Sequence, residues 1–180
     1  MIIIGDVHGC LYSLRALVDK TIHFGEPYCF VGDLIDRGLN SRKVVDFVMN
    51  SSDCVKGNHE DLLVHSLDGD FLPRSCSRYE KVHMQNVVSA TYVSFGCSIA
   101  DHYVDYFRSL PTYKIYNDIK VDGKPLLVSH SFAFSCSLHD DNSLMWNRDF
   151  YISEHIYPDQ IVPYFNVFGH TPMENVIIKD

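Results

Sequence analysis

The sequence predicts an α/β fold, a two-sheet β-sandwich flanked by helices. Three observations predict it. Short apolar or β-branched runs alternate with helical patterns up to Gly57, giving β-α-β-α-β and hence a parallel sheet covered on both faces. Past Pro111 the pattern changes to strand–turn–strand, the mark of antiparallel strands in a second sheet. Polar, ligand-type residues stand directly after several of the apolar runs, where an open α/β sheet gathers its functional groups.

Each element has its own signal. Met1-Ile2-Ile3-Ile4 ends at Gly5 and reads as a buried strand. Leu11, Leu14, Leu17 and Val18 recur at helical spacing. Tyr28 to Val31 is a second strand, stopped by Gly32, and Ser41 caps a helix carrying Val44, Val45, Phe47 and Val48. Asp53 to Lys56 is a third, short strand ending at Gly57. From Glu60 to Phe107 the pattern is helical and irregular. Asp61-Leu62-Leu63-Val64 starts one helix, Gly69 to Arg78 is a loop, and Tyr103 to Leu110 is another helix that Pro111 ends. Tyr113 to Ile119, Asp122-Gly123 and Leu126 to Ser129 form a β-hairpin, while Val167-Phe168 and Val176 to Ile178 are two further strands. No repeat, low-complexity tract or linker divides the chain, so residues 1–180 are expected to form a single domain.

Composition narrows the function. The chain is 46% hydrophobic and 21% charged, enough apolar material for a real core. Its net charge of −8 argues against a nucleic-acid partner, which needs a basic face, but leaves room for a local phosphate pocket. The apolar N-terminus is too short for a signal peptide and no stretch reaches membrane length, so a cytoplasmic protein with no membrane partner is expected. The six cysteines (Cys10, Cys29, Cys54, Cys76, Cys97, Cys136) make no C-x-x-C pair and are expected to be free, buried thiols.

Five motifs follow strands: Gly5-Asp6-Val7-His8-Gly9, Gly32-Asp33-Leu34-Ile35-Asp36-Arg37-Gly38, Gly57-Asn58-His59-Glu60, Ser129-His130-Ser131 and Gly169-His170-Thr171-Pro172. Taken singly each is weak, since a Gly-Asp or Gly-Asn pair is commonly a turn and a lone histidine is commonly a packed or surface residue. Together, in this order, they are what a two-metal hydrolase needs. Imidazole, carboxylate and amide oxygen suit Mn, Fe or Zn. A carboxylate can bridge two ions, and two ions can clamp both oxygens of an in-line displacement. A histidine backed by a carboxylate can protonate a leaving group, and arginines grip phosphate oxygens.

This set resembles the phosphoprotein phosphatase branch of the calcineurin-like metallophosphoesterases, nearest the bacteriophage lambda type of serine/threonine protein phosphatase. The resemblance runs from Gly5 to Pro172 and extends to Cys10 and to Met145-Trp146-Asn147-Arg148. It implies the calcineurin-like fold, with Asp6 and His8 on one metal, Asp33 bridging, and Asn58, His130 and His170 completing the second. It implies that Arg37, Asn58 and Arg148 bind phosphate oxygens and that His59 is the general acid, oriented by Asp36. The resemblance implies two divalent ions, with Mn the usual metal and Fe, Zn or Ni the alternatives, and a bridging hydroxide as nucleophile. The main function implied is a phosphomonoesterase acting on a phosphorylated protein or a small phosphoester. The alternatives are a symmetrical dinucleoside tetraphosphate hydrolase and an inactive, truncated metal-binding remnant. Among other readings, Asp36 could pair with Arg37 and Arg148 could stack on Trp146. The remaining histidines (His23, His65, His83, His102, His139, His155) match no position of the family and are expected at the surface or satisfied. Two departures stand out: Phe132 replaces a small residue beside the fifth ligand, and the chain stops at Asp180 where relatives add further strands of the second sheet. No motif sets the oligomeric state.

Overall fold

A computed structural model of the protein describes residues 1–69, 89–134, 137–148 and 163–174. Three strands form a parallel sheet in the order β1 (Ile2–Ile4), β2 (Tyr28–Phe30), β3 (Asp53–Cys54). The crossovers run through α1 (Leu11–Thr21), extended by a 3-10 turn at Ile22–Phe24, and through α2 (Ser41–Ser51). Helix α3 (Asn58–Leu67) follows β3, residues 89–94 are helical, and α4 (Asp101–Ser109) leads to the second sheet. That sheet holds β4 (Tyr113–Val121), β5 (Lys124–Ser129) and β6 (Phe165–Val167) in that order. A 3-10 turn (Ser137–His139) and α5 (Asp141–Trp146) lie between β5 and β6. The two sheets flanked by helices are the architecture the sequence predicts.

The two-residue period of a strand sorts its side chains into layers. Ile4 and Phe30 face the helices, packing with Leu11, Leu14, Val44, Val45, Val48, Leu63 and Phe107. Their neighbours Ile3, Cys29 and Val31 face the other way, with Val55, and meet Leu126 and Val128 of β5. This is the sandwich interior. Leu127, between those two, turns outward onto Ala133 and Leu144 of α5. Phe30 and Phe107 are fully buried. Truncating either to Ala would cost about 3–5 kcal/mol, more than any exposed residue contributes. Across the sandwich the Tyr116 hydroxyl donates to Asp53 Oδ2 at 2.7 Å, so a side chain of β4 ties to the start of β3.

Several expectations need correction. The second sheet is mixed: β4 and β5 are antiparallel, but β5 and β6 run parallel. Asn40, not Ser41, is the N-cap of α2, because the buried Ser41 hydroxyl is occupied by the Asp36 amide at 3.2 Å. Helix α3 starts at Asn58 rather than Asp61, drawn back by the Glu60 carboxylate, which accepts the Gly57 amide at 3.0 Å. Strand β6 covers Phe165–Val167 rather than Val167-Phe168. Cys29 and Cys54 are buried free thiols as expected, whereas Cys10, at the N-cap of α1, and Cys97, in the bend after residues 89–94, are exposed. His23, His65, His102 and His139 are exposed. The expected strand Val176 to Ile178, most of the expected loop at Gly69 to Arg78, and Cys76, Cys136, His83 and His155 lie outside the described residues. Among the described residues no helix is long and apolar enough to cross a membrane.

Candidate metal centre

The parallel strands all point the same way, so their carboxyl ends deliver the five motifs to one rim. Asp6 and His8 follow β1, Asp33 and Asp36 follow β2, and Asn58 and His59 open α3 after β3. His130 follows β5, and His170 follows β6, which runs parallel to it. The backbone there is strained. Among the described residues seven non-glycine residues have positive φ, and five of them are His8 (45°), Asp33 (51°), Asp36 (71°), Arg37 (63°) and His170 (66°). Left-handed backbone costs about 1–3 kcal/mol per residue and persists only where surroundings enforce it. The enforcement is visible. Asp33 O accepts Val7 N (3.1 Å) and His8 N (2.8 Å), and His8 O accepts Gly38 N (2.9 Å). The fully buried Glu60 carboxylate accepts Asp33 N and Leu34 N, both at 2.8 Å. Gly57 is required because a Cβ there would collide with the Asp33 amide and carboxylate.

The donor atoms form two groups that share Asp33. Asp33 Oδ2 lies 3.6 Å from His8 Nε2, and Asp33 Oδ1 lies 3.5 Å from His130 Nε2. His8, Asp33 and His59 make one set of mutually close ligand atoms; Asp33, His130 and His170 make the other. His8 Nδ1 donates to Ile35 O at 2.9 Å, which leaves Nε2 as a lone pair, and that buried atom has no hydrogen-bond partner among the described residues. His130 Nδ1 donates to Val31 O at 2.7 Å, so its Nε2 is also a lone pair. That lone pair faces Asn58 Oδ1 at 2.9 Å and His170 Nδ1 at 3.1 Å, with Asn58 Oδ1 and His170 Nδ1 3.0 Å apart. Asn58 Oδ1 and His130 Nε2 are both acceptors, and a cation lying among the three atoms would satisfy them together. The donor set therefore fits divalent metal, and the shared Asp33 fits a binuclear site.

Electrostatics agree. Burial lowers the His8 pKa to about 4 and, with the neighbouring His130 and Arg148, lowers that of His170 to about 3. Burial also lowers that of His130. These three rings are neutral at pH ~7, the form that binds metal. Burial raises the Asp33 pKa, and Asp6 adds to it, while His59 opposes it. His59 differs from the other three. Burial disfavours its charged ring, but the hydrogen bond to Asp36 and the charge of Asp33 outweigh that and raise its pKa. Its Nδ1 is tied to Asp36 Oδ2 at 2.7 Å and its Nε2 faces Asp33 Oδ2 at 3.8 Å.

A family model described as "Calcineurin-like phosphoesterase" matches residues 1–177. The chain belongs to the calcineurin-like phosphoesterases. Within that family it is 41% identical over 76 residues to an asymmetrical bis(5'-nucleosyl)-tetraphosphatase of Anoxybacillus flavithermus, covering 34% of this chain and 31% of that protein. It is 30% identical over 125 residues to a symmetrical bis(5'-nucleosyl)-tetraphosphatase of Hamiltonella defensa, covering 66% of this chain and 41% of that protein. The chain thus matches well under two thirds of the length of these curated relatives. A crystal structure provisionally identified as a diadenosine tetraphosphatase shares the fold, with a TM-score of 0.50 and 24% identity over 72% of this chain and 49% of that one.

In this calcineurin-like site the remaining expected residues divide. Asp6 stands outside the two ligand sets, with Oδ2 4.0 Å from His8 Nε2 and Oδ1 accepting His170 N at 3.1 Å. Asp36 turns inward to His59 rather than pairing with Arg37. Arg37 is exposed, and so is Arg148, whose Nη1 reaches His170 O at 3.5 Å rather than stacking on Trp146. The Trp146 ring instead sits edge-on to His170, 6.2 Å between centroids. Phe132 packs against Phe134 and Phe168, at 5.0 and 5.3 Å. Two residues carry more than sequence reasoning gave them. Glu60 was legible only as the last letter of a motif. Thr91, buried against Asp36, had no local signal at all.

Proposed function

We propose that this chain, acting as one domain, hydrolyses the phosphate chain of a dinucleoside tetraphosphate with two divalent metal ions, Mn foremost. The observation that carries the hydrolase reading is the single buried carboxylate of Asp33 facing a lone-pair nitrogen on each side. The tetraphosphatase reading is supported by the names of the relatives described above. In this reading Asp6 and His8 hold one ion with Asp33, and Asn58, His130 and His170 hold the other with it. Ions held there supply Lewis acidity toward phosphoryl oxygens and lower the pKa of water. Arg37, Asn58 and Arg148 grip the non-reacting phosphate oxygens. His59, kept charged by Asp36, delivers a proton to the leaving oxygen.

A second reading, a serine/threonine phosphomonoesterase, is favoured by one observation. The His59–Asp36 pair is built to deliver a proton, and a serine alkoxide needs one far more than a departing phosphate does. Turnover with Mn on diadenosine tetraphosphate and on a phosphoserine peptide separates the two. We expect faster hydrolysis of the dinucleotide. Two molecules of ADP would mark symmetrical cleavage, and AMP with ATP asymmetrical cleavage. Preference for the peptide would reverse the order of the readings, and no turnover on either would leave a metal-binding remnant.

A further inference from the structure

We propose that Thr91 is a positioning residue for proton delivery: its hydroxyl fixes the Asp36 carboxylate that aims His59 at the leaving oxygen. The proposal rests on the reading of His59 as general acid. Thr91 lies in the helical residues 89–94 and is fully buried, 55 residues away from Asp36 in sequence. A hydroxyl offers one donor and two acceptor sites. Here all are engaged. Thr91 Oγ1 donates to Asp36 Oδ1, accepts the Asp36 amide at 2.9 Å, and lies 3.4 Å from Ser41 Oγ. Asp36 is fully buried, with a left-handed φ of 71°, and its two oxygens are divided between Thr91 and His59. Thr91 thus closes a chain, Thr91–Asp36–His59, in which the hydroxyl sets both the strained backbone and the carboxylate plane. Without it, Oδ1 is a buried anionic oxygen with no partner among the described residues, and the carboxylate rotates to find one. His59 Nε2 then loses its aim.

A hydroxyl that only tied the helix to the core would look different in kinetics. A second tie of the same helix provides the control: half-buried Ser94 Oγ accepts the Arg42 amide at 3.0 Å and, among the described residues, bonds to no site residue. The experiment compares phenyl phosphate with 4-nitrophenyl phosphate in Mn. The two esters differ in how much their leaving group needs a proton. Thr91→Val should lower kcat on phenyl phosphate by about tenfold, a fraction of the hundredfold or more that a general acid contributes, and on the nitrophenyl ester by less than about threefold. Thr91→Ser should restore the difference, and Thr91→Val should cause no further loss in a His59→Asn background. Metal per chain and Tm should stay near wild type, and Ser94→Ala should behave as wild type on both esters. If Thr91→Val fails to fold, Thr91→Ala removes the hydroxyl without placing a methyl against the carboxylate. Equal losses on both esters, or a further loss on top of His59→Asn, would overturn the proposal. If His59→Asn itself slowed both esters equally, the acid reading would fall and Thr91 with it, an outcome seen in the single His59 variant.

Discussion

Glu60→Gln tests how the site loops are held. The Glu60 side chain is fully buried and serves four backbone amides. Oε2 accepts Asp33 N at 2.8 Å and Gly57 N at 3.0 Å; Oε1 accepts Leu34 N at 2.8 Å and Ile35 N at 3.4 Å. A glutamine offers one oxygen and one NH2. Whichever way it turns, two amides lose their acceptor and face a donor. The less costly orientation places NH2 toward Leu34 and Ile35, because the Ile35 contact is already long. A buried donor left unmet costs about 1–3 kcal/mol, so one full loss and one weak one amount to about 2–4 kcal/mol. Part is regained, since burial and the Asp33 charge disfavour the ionised Glu60 and raise its pKa. Against a net stability of about 5–15 kcal/mol the fold survives, weakened. Urea unfolding of metal-free protein reads this directly. With an m-value of about 2 kcal/mol/M the midpoint should fall by at most about 1–2 M, and bound Mn should fall with it as Asp33 loses its brace. A shift under about 0.3 M with full metal content and turnover would show that Glu60 only fills space.

Three further outcomes are expected. Asp33→Asn keeps the shape but loses the charge facing both ligand sets. It should remove turnover and lower bound metal together, while Asp101→Asn, at the exposed start of α4, should change neither. Elemental analysis that found both metals retained in Asp33→Asn would refute the bridging role. Metal affinity should fall in acid. Cations bind the deprotonated carboxylate, so affinity is full above the raised pKa of Asp33, about 6, and weakens by up to about tenfold per pH unit below it. His8, at about 4, and His170, at about 3, compete only in stronger acid. Calorimetric titration with Mn at pH ~7.5, ~6 and ~5 checks this, and a flat affinity would refute it. Gly57→Ala should fail through crowding against Asp33, with Mn content down at least about twofold; unchanged metal would mean the loops can separate without cost.

The first sheet and the site loops were legible because their signals are local. Ile2–Ile4 and Tyr28–Phe30 are apolar runs closed by turns, and each motif sits within a few residues of its strand. The second sheet was half legible. The β4–β5 hairpin announces itself through Asp122-Gly123, but the parallel seating of β6 on β5 joins Leu126 to Phe165 with no turn to mark it. Capping was misread at Ser41 because its hydroxyl goes to Asp36, a tertiary demand that overrides the local one. Thr91 was invisible for the same reason. It lies in a stretch without clear periodicity, and its partner comes from the first third of the chain. What sequence carries poorly here is not which residues face the metals but which residues hold them still.

That distinction bears on His59. Its charge is supported by Asp36 and also by Asp33. Two divalent ions held by the rim residues would draw on the Asp33 charge and would repel a neighbouring imidazolium. A unit charge ~4 Å from another is worth about 4 kcal/mol at an effective dielectric of 20, so such repulsion would work against the charged ring. Asp36 is placed to oppose it: fully buried, 2.7 Å from Nδ1, and a member of neither ligand set. The second oxygen of that carboxylate is occupied by a neutral hydroxyl and not by a cation, which leaves its negative charge undiminished for His59. A charged partner at residue 91 would have held the carboxylate as firmly and weakened its grip on the proton.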